Sequence, residues 1–210
     1  MRALSLLSLG LGIQLLLGGC AVGNTYNYQN SELSLPIVGN ETISLGVLDN
    51  RTYVVSGAKS PDYVGVQRGG YGNPFDVTTA TGKPLAEELG FSVQEALNRN
   101  GFSVIPLSVS SSESEAIISA VKQNDTRRSI TLKINEWKTD AMLRLRLIYD
   151  LELSIFDKEG NSIAEAKDSG DEVISGAGFE KGNSNNASSS FETKIGRLFN
   201  TPLIRGAMER

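Results

Sequence analysis

The chain of 210 residues contains no histidine. That removes the commonest general base near neutral pH and the commonest ligand for transition metals. It has one cysteine, Cys20, so no intrachain disulfide and no cysteine-based metal cluster can form. Basic residues are outnumbered, 20 Lys and Arg against 24 Asp and Glu. A broad nucleic-acid-binding surface is therefore not expected. Nor is there an apolar run of the roughly 20 residues that a membrane-spanning helix needs. The longest, Leu4 to Leu17, is shorter and is interrupted by Gly10 and Gly12.

What the N-terminus does contain is a basic tip at Arg2, that short apolar run and the small residues Gly18 and Gly19, followed by Cys20. This is the anatomy of a secretory signal. Leu17-Gly18-Gly19-Cys20 resembles the lipobox of bacterial lipoproteins. The resemblance implies that residues 1–19 are a signal peptide and that Cys20 becomes the acylated first residue. Ala21 in the next position implies sorting to the outer membrane, with the protein facing the periplasm. Each buried methylene of an acyl chain contributes about 0.8 kcal/mol, so several chains make a permanent anchor.

Removing residues 1–19 leaves 191, enough for one well-filled domain. Residues 20–40 are rich in Asn, Tyr, Ser and Gly and read as the acylated cysteine and a flexible tether, with a short strand around Leu33 to Leu35. Residues 41–210 read as a single periplasmic domain.

A first core strand is expected at Ile43 to Leu48, ending in Asp49-Asn50-Arg51. Residues 52–82, broken by Gly and Pro, read as a long connection, and such connections are usually functional or mobile. Leu85, Leu89, Val93, Ala96 and Leu97 recur at helical spacing, with Pro84 at the start and Gly101 after the end. A strand follows from Phe102 to Leu107. A second helix is expected after Ser112, which stands at capping-box spacing from Glu115. Ile130, Leu132 and Ile134 alternate as in a strand, and Trp137 breaks the alternation by one, the mark of a bulge or of the strand end. From Leu143 to Ile155 every second residue is apolar, the clearest period in the chain, and the segment after "DKEGN" returns as a hairpin. The Gly/Asn/Ser tract after it reads as too polar to pack, and the final helix starts near Ser189. The expected class is α+β, a mixed or antiparallel sheet with helices on one face, in the order β-α-β-α-β-β-β-α.

Two groups are candidates for a ligand- or partner-binding site. Asp49 and Arg51 end a core strand, where a local ion pair is the commoner explanation. In "VQRGGYGNPFD", Gly lets main-chain N–H groups approach an anion, and Arg68, Tyr71 and Phe75 are residue types that interfaces favour. The loop has no Lys-Ser/Thr pair and is not a P-loop. No catalytic residue, metal ligand or cofactor motif is recognisable.

The lipobox, the strand ending "GVLDNR", the helix "ALNRNGFSV" feeding a strand, the long hairpin and the terminal helix together resemble the YajG-type uncharacterised bacterial lipoproteins. The resemblance covers most of residues 41–200 as an order of elements. It implies a small α/β domain on an acyl anchor, and no catalytic residues come with it. The function expected first is that of a non-enzymatic protein-binding or envelope-assembly accessory module, with a homo-oligomer as one form of the partnership. The alternatives are a binder of a small anionic ligand or cell-wall fragment through residues 66–76 and, further off, a carboxylate-dependent hydrolase.

Overall fold

The computed structural model describes residues 24–175 and 182–209. The signal segment 1–19 and Cys20 lie outside the described residues. One domain is formed, of the α+β class expected. In chain order its elements are β1 (Thr25–Tyr26), β2 (Thr42–Asp49), α1 (Thr52–Val55), β3 (Tyr63–Arg68), β4 (Pro74–Thr79) and α2 (Leu85–Arg99). Then follow β5 (Ser103–Pro106), α3 (Ser114–Gln123), β6 (Arg128–Ala141), β7 (Leu145–Asp157), β8 (Ser162–Ser175), α4 (Gly182–Phe199) and α5 (Pro202–Met208).

All eight strands belong to one mixed sheet whose spine is β6. Antiparallel β7 runs along one edge of the spine, from Arg128↔Asp157 to Ala141↔Leu145, with β8 beyond it. Two strands share the other edge in succession. Parallel β2 pairs with the first half, Ile43↔Arg128 to Asp49↔Ile134, and β3 with the second, Gly65↔Thr139 to Gln67↔Ala141. The sheet therefore forks, with β5 outside β2 on one branch and β4 then β1 outside β3 on the other. Of the two readings of Trp137 the bulge is the one present, as a register shift between Ile134 and Glu136 in a strand that continues to Ala141. It turns Trp137 inward, fully buried, in phase with Ile134.

One face of the sheet carries the main core. Ile43, Leu45, Ile130, Leu132, Ile134 and Trp137, with the alternate residues of β7, pack under α2, α4 and α5. At roughly 1.5–3 kcal/mol for each large apolar side chain, this layer is the main source of stability. Helix α3 is the exception to the one-sided arrangement. Its Ile117 and Val121 join Leu48, Leu107 and Phe156 in a second cluster on the opposite face. Ser112 does not cap it: the residue before the helix is Glu113, and no side chain caps the end.

Residues 24–40 are not a free tether. Along residues 31–38 burial alternates strictly, with Leu33, Leu35 and Ile37 nearly inaccessible, and Tyr26 and Tyr28 are buried as well. The segment is an extended strap lying between α2 and α4. From α2, Glu88 accepts from the Tyr28 N–H at 3.0 Å and Ser92 Oγ donates to the Tyr28 carbonyl at 2.6 Å. Arg99 donates to the Leu33 carbonyl at 2.8 Å, and Asn100 just beyond α2 to those of Leu35 and Ile37 at 2.8 and 2.6 Å. From α4, Ser184 Oγ and Glu192 accept from the N–H groups of Asn27 and Glu32 at 3.1 and 2.9 Å. Tyr28 stands edge-on to Trp137 and Phe191 and accepts the indole N–H at 3.0 Å. The polar tract expected to stay unpacked is likewise helical from Gly182, with Asn183 and Ala187 buried.

Candidate functional site

Asp49 and Arg51 stand at the fork, where β2 leaves the spine and β3 has yet to join it. Arg51 is 0% exposed. Its guanidinium donates Nε–H to Asp49 at 2.8 Å, Nη1–H to the carbonyls of Tyr63 (2.5 Å) and Trp137 (3.3 Å), and Nη2–H to Asp49 (2.6 Å) and the Pro61 carbonyl (3.1 Å). A guanidinium has five N–H donors, and all five are engaged. Burial opposes its charge, and the hydrogen bond and charge of Asp49 outweigh that, raising the pKa of Arg51. The pair closes the gap between two strands and leaves no N–H for a ligand.

Immediately outside Arg51 is a cleft of about 310 Å³ between α1, β3 and β6. Tyr53, on the single turn of α1, lies with its ring 5.5 Å from the Arg51 guanidinium and edge-on to Tyr63, also at 5.5 Å. Its hydroxyl donates to Glu136 at 2.5 Å. Val66 and Ile148 supply apolar floor. Lys59 stands over the Tyr63 ring at 4.8 Å and Lys138 over that of Tyr53 at 5.5 Å. Each cation also holds a carboxylate: Lys59 with Asp76 at 2.6 Å, Arg68 with Asp140 at 2.6 Å and Lys138 with Glu136 at 3.2 Å. Gly65 lets β3 come this close to β6. It has φ +149°, and a Cβ there would stand 2.2–2.6 Å from Thr139 atoms, main chain included.

The electrostatics follow from those neighbours. Burial, then the bond to Glu136, raises Tyr53 well above an ordinary phenol. Burial and the charge of Asp76 push Tyr63 up to about 12. Neither phenol is available as a base near neutral pH. The bond from Arg68 holds Asp140 below the usual carboxylate range. The cleft thus offers aromatic edges, methyl groups and half-exposed paired charges, an arrangement fitted to recognition by contact.

The five candidate residues do not converge. Arg51 is buried behind the cleft and Arg68 lines it, whereas Tyr71 and Phe75 belong to the β3–β4 hairpin beyond. Tyr71 is fully exposed at the tip, and Phe75 is partly exposed beside Gly69. Sequence reasoning missed Tyr53, Lys59, Tyr63 and Lys138. The only signal was two tyrosines and a lysine in a segment that read as a loop. A larger groove of about 470 Å³ lies between α2 and the ends of β2 and β5. Its charges are spent internally: Lys83 pairs with Glu87 at 2.5 Å, and Glu88 holds Tyr28 and Thr81. Among the described residues no group of three or more acidic or cysteine side chains is placed to hold a metal, and no helix is long and apolar enough to cross a membrane.

No family model matches the chain, and no curated protein matches it in sequence. Among solved structures it is similar to protein XCC0632 from Xanthomonas campestris, of family model DUF330, with a TM-score of 0.55 at 13% identity, covering 89% of this chain and 98% of that one. Weaker likenesses are to the PelC dodecamer from Paraburkholderia phytofirmans (TM-score 0.43, 12% identity, 81% and 96% covered) and to lipoprotein GNA1162 from Neisseria meningitidis (TM-score 0.32, 12% identity, 76% and 99% covered). The chain therefore shares its α+β fold with XCC0632, and the likeness extends to the fold alone.

Proposed function

We propose that this chain is an accessory domain of the bacterial envelope, acylated at Cys20, held in the outer membrane and facing the periplasm, that binds a protein partner and catalyses no reaction. The anchoring half of the reading is supported by the signal and lipobox at residues 1–20 and by the resemblance to YajG-type lipoproteins. The binding half is carried by the cleft at Tyr53, Tyr63 and Arg68. Its cations are neutralised by carboxylates and its phenols stay protonated, so what it presents is a patterned surface. A small anionic ligand has less support, because Arg51 has no free N–H and Arg68 already holds Asp140.

The test is photocrosslinking in intact cells from a photoreactive residue in place of Val66. A discrete adduct is expected, lost when Lys59→Glu and Arg68→Glu are combined while the urea midpoint of the domain stays nearly unchanged. An adduct of twice the chain mass would make the partner a second copy. Absence of any adduct from Val66 or from Lys59 would remove the cleft from the interface.

A further inference from the structure

The strand registers fix which segments share one end of the sheet. Gln67 is opposite Ala141 in parallel β3 and β6, so the hairpin tip after Arg68 and the β6–β7 turn after Ala141 emerge together. Leu145 is opposite Ser175, which brings the end of β8 there too. β4 starts from that tip, and β1 runs parallel to it, pairing with its last residues at Thr25↔Thr78 and Tyr26↔Thr79, so β1 runs in the direction away from the tip. Five of the eleven exposed large apolar side chains of the described residues are gathered at this end: Tyr71 (100%), Leu143 (68%), Val173 (54%), Met142 (41%) and Phe75 (39%). Exposed Arg144 stands beside them.

We propose that this end of the sheet is the membrane-facing end of the domain, with its exposed apolar side chains set into the headgroup region of the bilayer that carries the anchor. The proposal rests on the reading of Cys20 as the acylated residue. Its second support is chain length. The strap is packed from Asn24 onward, which leaves four residue steps from Cys20 to a fixed point, a reach of at most about 14 Å. A free tether of 20 residues would have reached about 70 Å. β1 runs away from the apolar end, and Asn24 just before it donates to Gln67 Oε1 at 3.3 Å, so that end lies within the anchor's short reach. Tyr and Phe with an adjacent Arg suit the boundary between headgroups and acyl chains, where amphipathic rings and cations are favoured.

The experiment uses the full chain, lipidated in cells and reconstituted into vesicles of phosphatidylethanolamine and phosphatidylglycerol containing a headgroup-nitroxide lipid. With Cys20 acylated, Leu143→Cys and Val38→Cys each provide the sole thiol for a fluorophore. Val38 is 74% exposed and precedes β2 at the opposite end of the spine. Quenching several-fold stronger at 143 than at 38 is expected, reduced when Tyr71→Asp is added to the Leu143→Cys chain. Equal quenching at the two positions, or stronger quenching at 38, overturns the proposal. So does shielding of the 143 label in detergent accompanied by a doubled mass, which would assign this end to a second copy. A chain that fails to float with the vesicles removes the anchor itself, an outcome recognisable without the fluorophore.

Discussion

Arg51 brings a full charge into a site with no solvent exposure and is tolerated because every donor has an acceptor. Replacing it with Met would strand the Asp49 carboxylate and the carbonyls of Tyr63 and Trp137. The expected loss is about 3–5 kcal/mol, measured as a fall in the urea midpoint. Arg51→Lys would recover little, since one ammonium cannot reach both branches of the fork. The neighbouring phenols make the protein sensitive to alkali. Burial raises Tyr26, Tyr28, Tyr53 and Tyr63 above the ordinary value of 10.0. Their unfolded forms lose protons first as pH rises, so the stabilisation they provide is complete below pH 10 and declines above it, through about 12 for Tyr63 and beyond for Tyr28 and Tyr53, which are raised further. Their phenolate absorbance should appear together with loss of near-ultraviolet dichroism. Phenolate absorbance from these rings in a chain that stays folded would contradict the burial described. The "DNR" pattern was readable from sequence as an ion pair at a strand end. The fork it stabilises was not, because that depends on pairing between residues about eighty positions apart.

The strap is the element whose removal should matter most. Tyr28→Ala takes away a buried ring and the acceptor of the Trp137 indole, and is expected to cost about 3–5 kcal/mol. Tyr28→Phe keeps the ring and should cost about 1 kcal/mol. A protease that cuts after aromatic residues should leave Tyr26 and Tyr28 intact until the domain unfolds; release of a folded fragment starting near residue 40 would restore the tether. The clue was in the sequence: Leu33, Leu35 and Ile37 alternate with Glu32, Ser34 and Pro36, the period of an extended chain with one buried side. Polar composition concealed it, because main-chain groups of the strap are bonded by side chains of α2 and α4, far away in sequence. The first turns of α4 were hidden for the same reason. Strands β6 and β7 and helix α2 showed themselves through periodic runs, β2 through a compact apolar run and β8 through the turn that precedes it. In contrast, β3 and β4 have only six residues each, and Gly65 interrupts β3.

At the level of the folded domain and its setting, Cys20→Ser should give a folded protein recovered in the periplasmic fraction, whereas the parent chain sediments with membranes. Unchanged membrane fractionation would end the anchor reading and leave the fold untouched. The α+β class followed from the order of the expected elements, and the single domain from the length of the chain. The cleft did not, since its residues come from α1, β3 and β6 and meet only after the sheet has forked.

The contacts of the strap also impose an order on folding. Asn27 and Glu32 bond to Ser184 and Glu192, partners 157 and 160 residues later. Contacts so distant in sequence close slowly, and a chain is synthesised from its N-terminus. The first folded segment to leave the ribosome is thus among the last to find its place. Until α4 arrives, Tyr28, Leu33, Leu35 and Ile37 have only part of their cover. Refolding should accordingly show protection of the strap amides lagging behind that of β6 and β7, and a nascent chain lacking α4 should be a client for chaperones that hold apolar segments.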